Sequence, residues 1–364
     1  MAYLGISSIT FLVALIAVAR FVPLLRDFAL RIGAVQQGGK EHGQGQRMHQ
    51  GAMPNIGGIA IFAGFLCALL VGSIVNPSAL DSFRVELLAI VLGGALMTLV
   101  GFIDDMWEVP AAMRLAAQFL AAGILVVNGV AIDFITNYFS GSGYVFFGET
   151  LSVIVTLLWI VGFTNAFNFI DGLDGLSSGI AAIASLSLLA VAVQFPDRGA
   201  AALLLAALAG AALGFLRHNF NPATIIMGDS GAYMLGYILA AVSVLGALKV
   251  TAAVTVVTPI LVLALPVLNI TQVTLRRLSR GNSPALACND HIHDIIRERS
   301  GSKRLTVFIL WTTTLLLGIV GMLISRTPLL LMTLTIAATV LLIAMVSYLR
   351  WREVVKEQSL GASS

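Results

Sequence analysis

Apolar stretches recur along this chain at the length a membrane requires. Crossing roughly 30 Å of hydrocarbon takes about 20 apolar residues in a helix. Eleven stretches meet it, at about 4–25, 55–75, 85–103, 111–130, 150–169, 176–195, 200–217, 229–248, 252–272, 305–324 and 328–349. The predicted architecture is all-α: a polytopic membrane protein of about 11 transmembrane helices, forming one integral membrane domain over residues 1–364. The run 4–25 is too long and too apolar for a signal-peptide core, and no small-residue cleavage site follows it.

Composition agrees. A chain of 364 residues could hold two or three soluble domains, but this one is 58% hydrophobic and 11% charged, against about 25% charged in soluble domains. The net charge is only +3, and no nucleic-acid partner is expected. Cys67 and Cys288 provide neither a disulfide framework nor a metal-binding spacing.

Charge distribution says more than its total, because Lys and Arg favour cytoplasmic connections. With the connection 26–54 placed inside, those near 104–110, 170–175, 218–228 and 273–304, and the tail from Arg350, fall on the same side. Of the 21 Lys and Arg residues, only Arg84, Arg198, Lys249 and Arg326 then lie outside. This orientation puts the N-terminus outside and the C-terminus in the cytoplasm. It also brings every acid-rich segment to the cytoplasmic face, although the acids played no part in choosing it.

The most distinctive polar group is Asn165, Asn168, Asp171 and Asp174, which recur every third residue between two uncharged apolar runs. Acids at a membrane boundary are costly to bury and face water, a metal or a polar ligand. Gly172 and Gly175 point to a helix end or turn there. A plain polar hairpin is the bland alternative, but it has no need of two Asn inside an apolar run. Asp104 and Asp105 close the third span; adjacent carboxylates repel, so they mark either an interfacial stop or a cation site. Arg114 and Gln118, one turn apart at the start of the fourth span, face an anionic ligand or mark the interface. Asp229, between Gly228 and Gly231, stands where the eighth span begins, as a helix cap or a ligand, and Asn219 lies ten residues earlier. His291 and His293 sit in the most basic connection with Arg276, Arg277, Arg280, Arg297 and Arg299. Two residues apart, they diverge by about 200° on a helix, so an extended phosphate-binding loop fits better than a helical metal pair. Arg47, His49, Pro54, Gly57 and Gly58 close the first cytoplasmic connection.

Together these residues resemble the polyprenyl-phosphate N-acetylhexosamine-1-phosphate transferases, the superfamily that includes phospho-MurNAc-pentapeptide translocase. The resemblance runs from about Arg47 to Asp294, with the motifs in the family's order. It implies transfer of a sugar 1-phosphate from a UDP-N-acetylhexosamine, by default UDP-GlcNAc, to polyprenyl (undecaprenyl) phosphate, releasing UMP. That would be the first membrane step of a cell-envelope glycan at the bacterial cytoplasmic membrane. It implies Mg²⁺, with Mn²⁺ as a substitute, held by Asp229 with Asp105, and leaves a homodimer open. Asp104 and Asp105 would hold the metal or orient the lipid phosphate. Asp171 and Asp174, with Asn165, Asn168 and Asn219, would position the nucleotide and phosphosugar. His291 and His293 would contact the diphosphate, and Arg47, His49 and Arg114 would bind substrate. Asp294 stands where the family has a final His, Cys288 where Asp is common and Asn289 where Arg is common, which bears on sugar identity and leaves a modified UDP-N-acetylamino sugar as an alternative donor. A secondary transporter for an anionic solute is the rival from another class. Transporter sites lie near the bilayer midplane in paired repeats; here the acids gather at one face and no convincing repeat is present.

Overall fold

The computed structural model describes residues 3–36, 53–76, 83–136, 144–247, 257–279 and 291–361. The expected spans become α1 (Leu4–Ile32), α2 (Gly57–Val75), α3 (Arg84–Trp107), α4 (Ala111–Val127), α5 (Glu149–Ile170), α6 (Leu176–Ala192), α7 (Gly199–Asn219) and α8 (Gly228–Ala247). These are followed by α9 (Val257–Val262), α10 (Ala264–Ser279), α11 (Ile292–Ser300), α12 (Lys303–Ile324) and α13 (Leu329–Gly361). A 3-10 turn (Pro196–Arg198) before α7 and two short antiparallel pairs complete the described elements: β1 (Val35–Gln36) with β2 (Met53–Pro54), and β3 (Phe134–Thr136) with β4 (Tyr144–Phe146).

All the expected spans but one coincide with a single helix. The ninth, 252–272, is broken: within the described residues it is α9 followed by α10. Pro266 supplies the physical reason, since it has no N–H to donate to Val262 and its ring crowds that carbonyl. Among the described residues, eight helices are long and apolar enough to cross a membrane, and α4 and α6 are shorter apolar helices. The chain is a multi-pass membrane protein.

Two helices form the centre. The α7 span is buried throughout and α8 almost so. Around them, α1, α2 and α6 pack on α7, and α3, α5 and α2 on α8. The outer helices turn large apolar side chains outward, among them Leu24, Ile74, Leu88, Leu158 and Leu341. That is the surface a hydrocarbon solvent requires. The inner helices are rich in Ala and Gly, which lets backbones come close. At the start of α8 this is compulsory. A Cβ on Gly58 of α2 would lie 2.1 Å from the Gly231 nitrogen, and one on Gly101 of α3 would lie 2.4 Å from Ser230 Cα. Both helices therefore press directly on the first turn of α8, where Asp229 stands.

Candidate active site

The first turn of α8 is held in place by Asp105. Its Oδ1 accepts from the Asp229 N–H at 2.8 Å and from Asn55 Nδ2 at 2.9 Å, and its Oδ2 accepts from the Ser230 N–H at 3.1 Å. Free N–H groups at a helix start need acceptors, and a carboxylate favours that end of the macrodipole. A side chain on α3 thus caps α8. Gly228 makes the contact possible: its φ is +76°, and a Cβ there would sit 2.4 Å from Asp105 Oδ2. On the other side, the segment 54–58 locks to the chain entering α8. Ile226 N–H donates to Pro54 O, Gly57 N–H to Ile226 O and Gly58 N–H to Met227 O.

Asp229 is thereby set at the end of the bundle beside Asp105. Its Oδ1 accepts from Asn168 Nδ2 at 2.7 Å, linking α8 to the last turn of α5. On the flank, buried Asp104 accepts from the Val109 N–H through Oδ1 at 2.8 Å. Its Oδ2 accepts from Arg114 at 2.9 Å and from the Tyr233 hydroxyl at 3.2 Å. Farther up α5, Asn165 and Gln118 of α4 exchange amide hydrogen bonds at 2.6 and 3.3 Å.

The turn between α5 and α6 is fastened from two sides. Asp171 accepts from the Ser177 hydroxyl, and Asp174 accepts from Asn221 Nδ2 at 2.9 Å. Asn219 accepts from the Gly175 N–H at 3.0 Å and donates to Ile225 O at 3.0 Å, so its amide braces two turns. Basic residues of the same end serve the loop after α7: Arg350 donates to Pro222 O and Arg304 to Asn221 O.

The two histidines do come together. His291 is the extended cap residue before α11 and His293 lies in its first turn. One residue outside the helix removes the divergence expected for two helical positions, and the rings stack at 5.2 Å, 4° from parallel. His291 Nδ1 lies 3.4 Å from Asn269 Nδ2 of α10, and its ring packs beside Phe169 of α5. His293 sits on the α5–α6 turn: a Cβ on Gly172 would lie 2.0 Å from His293 Nε2. Beneath it, Asp294 is buried, 3.3 Å from Arg297 and 3.7 Å from His293. Gly172→Ala is therefore expected to push His293 off the turn and lower turnover at least tenfold, with little change in thermal stability. Activity and unfolding midpoint measured on one preparation check it.

Among the expected site residues, Asp104, Asp105, Arg114, Asn165, Asn168, Asp171, Asp174, Asn219, Asp229, His291 and His293 all gather at this one end of the bundle. Arg47 and His49 lie outside the described residues, as do Arg280, Cys288, Asn289 and Asp290. The expectation of Asp105 as a partner of Asp229 on a metal meets a competing arrangement, since each of its oxygens already accepts an N–H. Three further participants lie outside the set expected from sequence. Asn55 stands between Pro54 and Gly57. Tyr233 lies four residues after Asp229, on the same face of α8. Asn269 is a buried amide in α10.

The donor set suits a hard cation. Asp229 contributes a carboxylate, and Asn55 Oδ1 beside Gly228 is buried without a hydrogen-bond partner. No group of three or more His, Cys, Asp or Glu that could hold a metal occurs among the described residues. Mg²⁺ takes one or two carboxylates and fills its shell with water and phosphate oxygens, and Asp229 with Asn55 Oδ1 offers oxygens of that kind.

A family model, Glycosyl transferase family 4, matches residues 87–247, a stretch that includes Asp104 and Asp229. The Bacillus subtilis (strain 168) protein named "Probable undecaprenyl-phosphate N-acetylglucosaminyl 1-phosphate transferase" is 31% identical over 303 residues, covering 83% of this chain and 80% of that one. The chain belongs to glycosyl transferase family 4. Further relatives carry two kinds of name. The decaprenyl-phosphate N-acetylglucosaminephosphotransferase of Mycolicibacterium smegmatis is 32% identical, over 79% of this chain and 74% of its own. The phospho-N-acetylmuramoyl-pentapeptide-transferase of Shouchella clausii is 33% identical, over 65% of this chain and 73% of its own. The family 4 match contains the Asp105–Asp229 centre, the Asp104–Arg114 pair and the turn 171–175; Asn55 and the histidine pair lie beyond it.

Proposed function

We propose that the chain transfers N-acetylglucosamine 1-phosphate from UDP-N-acetylglucosamine to a polyprenyl phosphate such as undecaprenyl phosphate, releasing UMP. The site would face the cytoplasm at a bacterial inner membrane, in an eleven-span fold oriented by its Lys and Arg residues. The observation that carries this reading is the placement of Asp229. It is fixed by Asn168 and by the Asp105-capped turn, beside the Asp104–Arg114 pair, at one end of a bundle whose outside is apolar. A lipid phosphate can reach such a site while its tail stays in the membrane. The names of the relatives support the choice of substrates.

In the reaction, an oxygen of the lipid phosphate bonds to the β-phosphorus of the UDP-sugar. The bridge between the α- and β-phosphorus breaks, and UMP leaves. Mg²⁺ would supply positive charge against the phosphate oxygens as bonds exchange. Asp229 is the proposed metal-holding carboxylate, aimed by Asn168. Asp105 sets the helix start that presents it. Asp104 fixes Arg114, whose guanidinium is the proposed contact of the lipid phosphate. Asp171 and Asp174 shape the nucleotide wall, with Asn219 bracing its turn and Asn165, held by Gln118, as a further proposed nucleotide contact. His291 and His293, stacked over Gly172, would contact the diphosphate, and Arg47 and His49 are further proposed contacts.

Asp104 is assigned positioning rather than proton abstraction, because Val109 N–H, Arg114 and Tyr233 already occupy its oxygens. A phosphate monoester also loses its second proton near pH 6, so little is gained by removing it. Asp104→Asn is expected to lower turnover roughly 10- to 100-fold, by a similar factor at about pH 6 and about pH 8. A much larger loss at the lower pH would make Asp104 a base. The reading as a whole is tested with purified protein, Mg²⁺, polyprenyl phosphate and sugar-labelled UDP-sugars. Label entering the lipid with UMP release is expected; folded protein that transfers from no UDP-sugar would overturn it.

A further inference from the structure

The opposite end of the bundle holds a feature that sugar-phosphate transfer does not use. Where α6 passes into α7, beside the last turns of α8 and α12, lies a cavity of about 260 Å³. Its walls are mainly apolar, built from residues such as Leu188, Val191, Phe195, Leu205 and Val242. Arg198 also lines it and is only 7% exposed. Its Nε and Nη2 have no hydrogen-bond partner, and its guanidinium carbon lies 4.2 Å from the centroid of the Phe195 ring. Asp197, next in the chain, offsets part of the charge but does not bond to either nitrogen. Arg326 lines the cavity from its exposed rim, in the left-handed region with φ 52°. Two of the four cations on this side, Arg198 and Arg326, therefore meet at one cavity.

A guanidinium held out of water with unmet N–H groups is costly, and within a membrane protein such a group marks a ligand site. The walls narrow the choice. A small hydrated anion would lose its water and gain one guanidinium among hydrocarbon side chains. An anion joined to a hydrocarbon tail fills both parts: the fork of Arg198 takes phosphate oxygens in pairs, and the tail covers the apolar wall. We infer that this cavity binds the phosphate headgroup of an anionic membrane lipid, with Arg198 as its main contact and Arg326 closing the rim. The site is separate from the acid cluster. Val242 of α8 lies 13 residues beyond Asp229, about 20 Å along the helix axis.

The test uses the full-length protein in a neutral detergent. Phosphatidylglycerol in a phosphatidylcholine background is titrated against wild type, Arg198→Gln, Arg198→Lys and Arg326→Gln, and bound lipid is counted by native mass spectrometry. Arg198→Gln is expected to bind phosphatidylglycerol about tenfold or more weakly. Arg198→Lys should fall in between, and phosphatidylcholine alone should give no saturable adduct at the site. Arg326→Gln, altered only at the rim, should weaken binding by a smaller factor and serves if the buried variant does not fold. Equal phosphatidylglycerol binding by wild type and all variants would overturn the site. Saturable stabilisation by inorganic phosphate alone, lost in Arg198→Gln, would overturn the lipid assignment in favour of a small anion.

Discussion

Asp229→Asn is expected to lower turnover roughly 10³-fold with the fold intact. The substitution keeps the size of the side chain and an oxygen for Asn168 Nδ2, now 2.7 Å from Asp229 Oδ1. It removes the charge on the carboxylate proposed to hold Mg²⁺. Asp105 and Asp229 are neighbouring acids, so losing one charge also relieves their repulsion, and the unfolding midpoint should stay level or rise. The Mg²⁺ concentration for half-maximal residual activity should increase sharply. Turnover within tenfold of wild type, at an unchanged Mg²⁺ requirement, would remove Asp229 from the centre of the reaction.

Asp105→Ala should behave in the opposite way, with stability lost as well as activity. The alanine would strand the Asp229 N–H, the Ser230 N–H and Asn55 Nδ2, all now bonded to Asp105. At about 1 kcal/mol or more for each buried donor left unmet, the loss is about 3 kcal/mol, read as a clear fall in the unfolding midpoint. Activity should fall at least 100-fold because the first turn of α8 no longer presents Asp229. Asp105→Asn keeps one acceptor oxygen and should lose less of both. An unchanged midpoint with a large rise in the Mg²⁺ requirement would instead make Asp105 a metal ligand. The pair of variants thus separates the group that holds the metal from the group that aims it.

Much of this arrangement is visible in the chain before folding. Runs such as 57–75 and 200–217 are apolar over the length of a bilayer, and helix is the structure that satisfies a backbone there. The acids and amides stand out because such residues are rare in apolar surroundings. What stays hidden depends on partners distant in sequence. Asn55 gains its role only when segment 54–58 docks on Ile226 and Met227, and Asp105 becomes a cap only when α3 meets α8. The interruption of the ninth span rests on a local cause, Pro266, which an average over an apolar run conceals. The histidine pair shows how one residue of helix boundary changes geometry: with His291 at the cap, the rings stack; with both inside α11, they would diverge. Arg198 stands out as one of few cations expected on its side, but its unmet N–H groups exist only once α6, α7, α8 and α12 close around the cavity.

The most direct measurement follows the β-phosphorus of the sugar nucleotide. Purified protein in lipid nanodiscs is given polyprenyl phosphate, Mg²⁺ and UDP-N-acetylglucosamine radiolabelled at that phosphorus. Transfer of sugar 1-phosphate predicts label in the lipid fraction, with unlabelled UMP released in equal amount. Label left in water as UDP, with sugar on the lipid, would mean that the bond to the sugar carbon breaks instead, and would contradict the proposed reaction.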